Sequence, residues 1–184
     1  MRTLSVAAGV ALLMLPLSGA TAAVVSVGGP LSQNCYEFAL SGDTSDAGVN
    51  SCTRALSEEG LVGHDRAGTL VNRGILLMLR GRDADANGDF DSALRLEAGL
   101  SDAWLNKGFL LLRHGDGRDA LPLLQKGIDT GARRQALAIF ARGVAYEQMG
   151  QFASAYADLK RAHEMEPQWA MPSEYLAAYR VEQR

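Results

Sequence analysis

The chain has 184 residues, a formal net charge of −3 and 7% aromatic residues. With acids outnumbering bases there is no basic surplus to condense a nucleic-acid backbone, which excludes nucleic acid as a partner class. The 47% hydrophobic content suits one continuous core of helices packed through Ala, Leu and Gly, with no second globular domain required.

In chain order, residues 1–22 carry the marks of a signal peptide. Arg2 gives a short basic start, an apolar run extends from Leu4 to Leu17, and Ala20, Thr21 and Ala22 form a small-residue cleavage site. The alternative is a membrane anchor, but the run is short for a span and contains Pro16 and Gly19. Cleavage after Ala22 would start the mature chain near Ala23, leave no stable membrane insertion, and move the charge from 18 − 21 = −3 to 17 − 21 = −4. The expected location is periplasmic or secreted. Residues 23–32 lack helical periodicity and predict an extended or disordered arm, which could also dock on the first hairpin.

Residues 33–60 predict that helical hairpin, with helices over 33–41 and 44–58 and a turn at Ser41, Gly42 and Asp43. This places Cys35 and Cys52 roughly level across the hairpin. After export a disulfide is the expected state, the alternative being two buried free thiols. The bridge would staple a unit with too little apolar surface to hold itself shut.

From residue 64 the chain repeats. Glycines at 74 and 81 recur at 108 and 115, and again at 143 and 150, 34 and then 35 residues apart. Aligned on them, Ala86, Phe90 and Ala93 match Ala120, Leu124 and Gly127, then Ala155, Leu159 and Ala162. Small residues recur where two helices approach and large ones between them, so the array buries its own core and leaves a curved surface free. The predicted helices are 64–80 and 83–97, 101–114 and 118–130, 132–149 and 152–165. A capping helix over about 172–182, within residues 168–184, would close the array, with Tyr175, Leu176 and Tyr179 inward.

The columns resemble the tetratricopeptide repeat, over residues 64–167 and with Pro167 closing the third copy. Departures include Arg73, Lys107 and Arg142 where a leucine is usual, and Ala98 in place of the first proline. The resemblance implies an all-α, right-handed superhelical solenoid of antiparallel helix pairs: three units, a divergent N-terminal hairpin and a C-terminal cap. It also implies that first-helix side chains not used for packing line a concave wall. Those positions give Val71, Asn72 and Ile75, then Leu105, Asn106 and Phe109, then Phe140 and Val144, with Arg113 about a turn further on. Asparagine amides suit such a wall because they pair with both the donor and the acceptor of an extended backbone. The alternative is that the arm or neighbouring repeats fill part of it. The basic column of Arg73, Lys107 and Arg142 would face acidic partners or pair with helix acids such as Asp102 and Glu147. The family's clamp for a C-terminal carboxylate is incomplete, because Val71, Ile75 and Leu137 stand at polar or basic columns.

Asp83, Asp85, Asn87, Gly88, Asp89 and Asp91 follow the start of a calcium-binding loop, but the twelfth position is Leu94 and the stretch is in register with second helices of the array. His64, His114 and His163 lack ligand spacing, and no serine carries a nucleophile motif. No metal, cofactor or catalytic residue is expected. The functional expectation is an exported, non-enzymatic adaptor binding a protein or peptide on its concave face. A structural, self-associating component of a cell-envelope complex is the other reading.

Overall fold

The computed structural model describes residues 3–6, 22–25 and 28–182, and side chains for all of these except 3–6 and 180–182. Of the expected leader, only residues 3–6 and Ala22 fall among them. The elements are β1 (Thr3–Val6), α1 (Pro30–Ser41), α2 (Asp46–Glu58), α3 (Gly63–Leu79), α4 (Asp83–Leu96), α5 (Ser101–Arg113), α6 (Gly117–Asp129), α7 (Gln135–Gln148), α8 (Phe152–Met165), α9 (Ala170–Leu176) and β2 (Tyr179–Glu182). The helices stack as neighbouring pairs, α1 on α2, α3 on α4, α5 on α6 and α7 on α8. The first helices of successive pairs also touch, α1 on α3, α3 on α5 and α5 on α7, which makes them one wall of a helical solenoid.

The two glycine columns have separate physical causes. Gly81, Gly115 and Gly150 end the first helix of each repeat with φ of 74°, 81° and 71°, the left-handed turn that disfavours a Cβ. At the other column the helices are too close for a side chain: a Cβ on Gly74 would lie 2.5 Å from a ring carbon of Phe90, and one on Gly108 would lie 2.5 Å from Leu124. Phe90 has no exposed surface. Gly74→Ala is therefore expected to destabilise by about 2 kcal/mol by overpacking, and Gly88→Ala, where a Cβ meets open space, to stabilise by about 1 kcal/mol. Denaturant midpoints of the two variants check this, and a stable Gly74→Ala would refute the close-approach argument.

The stretch resembling a calcium loop is the helix α4, with Ala86, Phe90 and Ala93 fully buried. Asp89 and Asp91 on it are ion-pair partners of Arg73 and Lys107. The three histidines lie apart: His64 contacts Glu97 at 2.8 Å, His114 contacts Asp83 at 2.7 Å, and His163 sits on α8.

Cys35 and Cys52 are joined in a disulfide between α1 and α2, both wholly buried. Glu59, just beyond α2, accepts hydrogen bonds from the Leu31 and Ser32 N–H groups at 2.7 and 3.0 Å, so the end of one helix caps the start of the other. Reduction is expected to loosen this hairpin before the repeats, because the repeats carry the larger apolar interfaces. Limited proteolysis with and without reductant tests it: cuts within 30–58 should appear first, and initial cutting within 83–165 would contradict it.

The C-terminal end departs from the expected helix over 172–182. Helix α9 stops at Leu176, and β2 pairs antiparallel with β1, Thr3 opposite Glu182 and Val6 opposite Tyr179. Tyr179 and Val181 favour extended backbone, and a partner strand satisfies it. Tyr175 and Tyr179 are buried, while Leu176 is half-buried against the same cluster.

The core divides in two. One apolar cluster joins the disulfide hairpin to α3, α4 and the Ala103 and Leu110 side of α5, and the other joins the Leu105 and Phe109 side of α5 to α6 through α9. Val24 belongs to the first and Ala22 to the second, so residues 22–25 bridge them.

Candidate functional site

The wall formed by α3, α5 and α7 is covered in part by the chain's own residues 22–25. Asn72 accepts a hydrogen bond from Val24 N–H at 2.8 Å and donates its amide to Val24 C=O at 2.7 Å. Both polar atoms of one residue's backbone are thus read by one side chain, a contact that any residue with an N–H could make. One repeat further on, Asn106 donates to Ala22 C=O at 3.1 Å and to Asp102 C=O, in its own helix, at 2.8 Å. The arm therefore crosses the first helices against the order of the repeats, Ala22 on α5 and Val24 on α3.

Two positions that the sequence pattern left out complete the cradle. Gly68 lies one turn before Asn72, and a Cβ there would come within 2.8 Å of Val24. Asp102 holds the equivalent place before Asn106, 34 residues on, and is 3% exposed. Burial pushes its carboxyl up to about 6, against the opposing pull of Arg133 and His64.

Eight of the nine expected wall residues are buried: Val71, Asn72, Ile75, Leu105, Asn106, Phe109, Phe140 and Val144. They do not form one open surface. Leu105 packs on its own second helix, within 2.6 Å of where a Cβ on Gly127 would stand. Phe140 meets Trp169 and Tyr175 edge-on, with centroids 5.0 and 5.1 Å away, in the seam to α9. Arg113 is a structural cap, donating to Met78 C=O at 2.6 Å and to Asp83 at 3.1 Å. Gln148, its counterpart in the next repeat, donates to Leu112 C=O at 2.9 Å. Of the polar wall residues, Asn72 and Asn106 are the two that meet the backbone of residues 22–25.

The basic column lies off the wall and is already engaged. Arg73 makes a two-pronged pair with Asp89 at 2.7 Å, and Arg142 does the same with Asp158 at 2.7 and 2.8 Å. Lys107 has Leu123 at the matching offset and pairs with Asp91 of the preceding repeat. The acids are thus on second helices, and neither Asp102 nor Glu147 is used, because the column points into the seam between consecutive second helices. Arg142 also reaches Gln125 at 2.7 Å across that seam.

Neither a family model nor a curated protein matches this chain. Solved structures do. A MamA RS-1 ArsTM double mutant aligns with a TM-score of 0.61 at 22% identity, covering 80% of this chain and 82% of that one. The chain has a tetratricopeptide-like helical repeat fold. A crystal structure of MamA gives 0.60 at 18% identity over 77% and 80% of the two chains, and MamA 41-end from Desulfovibrio magneticus RS-1 gives 0.61 at 21% over 80% and 82%. At these identities the likeness is one of fold. Among the described residues no helix is long and apolar enough to cross a membrane, and no group of His, Cys, Asp and Glu is placed to hold a metal ion.

Proposed function

We propose that this protein is an exported, non-enzymatic adaptor whose α3–α5–α7 groove grips an extended segment of a partner protein, and that the arm, from Ala23 onward in the processed chain, fills the groove until a partner displaces it. The observation that carries the reading is the double hydrogen bond between Asn72 and the Val24 backbone, since it recognises extended peptide without demanding a particular side chain. The tetratricopeptide-like fold supports a binding role, and a buried disulfide suits an oxidising compartment.

The experiment compares three chains by affinity capture from envelope extract: residues 23–184, residues 28–184, and 28–184 with Asn72→Ala and Asn106→Ala. Removing the arm should raise capture several-fold, and the double variant should lose it while keeping its helical spectrum. Equal capture by the double variant would reject the groove and direct attention to the convex face. A mass that climbs with concentration, with no protein captured, would replace the adaptor with a self-associating envelope component.

A further inference from the structure

The peptide bond between Ala22 and Ala23 lies at the centre of the groove, and its surroundings are poorly matched to an amide. Asn106 has no exposed surface, and while its amide nitrogen serves Ala22 C=O, its Oδ1 has no hydrogen-bond partner. Asp102, one turn earlier on α5, stands where Gly68 stands on α3, and Gly68 faces Val24 and the Val25 carbonyl. By the repeat, Asp102 occupies on α5 the place that faces the arm on α3. Arg133, just before α7, and His64, at the start of α3 and itself paired with Glu97, offset its burial only in part. A free buried acceptor and a buried carboxylate together call for a cation that carries N–H donors.

We propose that this point of the groove is a seat for the α-ammonium group of Ala23, created when an export peptidase hydrolyses the Ala22–Ala23 bond. The seat rests on the protein being exported, as proposed for its function. Water is consumed in the cut: Ala22 departs with the leader as a carboxylate, and Ala23 keeps the former amide nitrogen, which takes up protons to become an ammonium. With Ala22 gone, the Asn106 amide nitrogen keeps its bond to Asp102 C=O, the unpartnered Oδ1 accepts from the ammonium, and the Asp102 carboxylate balances the charge. Asn72 holds Val24 at both backbone atoms, so the new terminus is tethered one residue from a fixed point. Ala22 is 1% exposed in the closed groove, so cleavage has to come before the arm docks. Processing and closure are thereby ordered: the uncut chain buries a carboxylate that Arg133 and His64 offset only in part, and the cut chain buries an ion pair.

The test uses residues 23–184 released from a fusion with a free Ala23 amine, the same chain N-acetylated, and both forms carrying Asp102→Asn. Acetylation should lower Tm by at least about 4 °C in the wild-type sequence and by less than half as much in Asp102→Asn, with the Asn72 side-chain amide resonances shifting in the acetylated wild type as the arm loosens. An unchanged Tm on acetylation, or an equal fall in both backgrounds, would overturn the seat. N-terminal sequencing of the exported protein separates the two ideas. A start other than Ala23 overturns the export boundary and the seat's natural occupant, whereas a start at Ala23 with no effect of acetylation overturns the seat alone.

Discussion

Asp158→Ala is expected to cost about 3–5 kcal/mol, more than any change at the equivalent place in the second repeat. Asp158 and Arg142 have side chains only 10% and 19% exposed, and their two-pronged contact is extended to Gln125 on the preceding second helix. Removing the carboxylate leaves a guanidinium in the seam between α6 and α8 with one neutral partner, a loss far larger than the pair's net worth. A guanidinium remains protonated even without its carboxylate partner, so Arg142 cannot escape by losing its proton. Replacing both residues by leucine should recover most of the loss, because the desolvation of both charges vanishes together. Lys107 supplies the control. Its partner Asp91 is 40% exposed and its own repeat offers Leu123, so Lys107→Leu should change stability by less than about 1 kcal/mol. Urea denaturation of these variants decides the matter. Equal losses at Asp158 and Lys107 would mean that the column is ordinary surface charge.

The fold was legible because its period is carried by backbone necessity. A glycine that must take φ near 70° and a glycine that must admit Phe90 or Leu124 leave little room for alternatives, so the columns stand out even where the usual leucine and proline are missing. The helical character of 83–96 followed from the same register. The end of the chain was not legible, since Tyr179 and Val181 become a strand through pairing with Thr3–Val6, far away in sequence.

The sequence allowed the wall two fillings, a partner peptide or the chain's own arm and neighbouring repeats, and the structure puts residues 22–25 on part of it. Asn72 and Asn106 read extended backbone as amides on such a wall should, but the backbone they read is the chain's own. Leu105 and Phe140 occupy wall columns in the register, yet their size lets them fill the gaps left by Gly127 and by the approach of α9. Nothing local distinguishes a large apolar residue lining a groove from one closing a seam. Asp102 reads in the sequence only as a helix acid for the basic column, because an acid in the first turn of a helix is ordinary and its burial comes from tertiary packing.

That burial gives the second large effect. In the chain that still carries residues 1–22, Asp102→Asn is expected to stabilise by about 3 kcal/mol at pH 7 and by almost nothing at pH 3.5. The Asp102 carboxyl is raised from 3.8 to about 6 in the folded chain, chiefly by burial. Between those values the folded state holds a proton that the unfolded state has released, so stability falls as pH rises through the window and stays low above it. Asparagine keeps the shape and never ionises, so its advantage should grow over that same window. Denaturation midpoints at pH 3.5, 5 and 7 measure the difference, and a pH-independent gain would show that relieved packing, not charge, was responsible. In residues 23–184 with a free amine, the ammonium of Ala23 should already compensate the carboxylate, and the gain at pH 7 should shrink correspondingly. A pH-dependent gain of the same size in both chains would keep Asp102 as a buried acid and deny it a role at the mature N terminus.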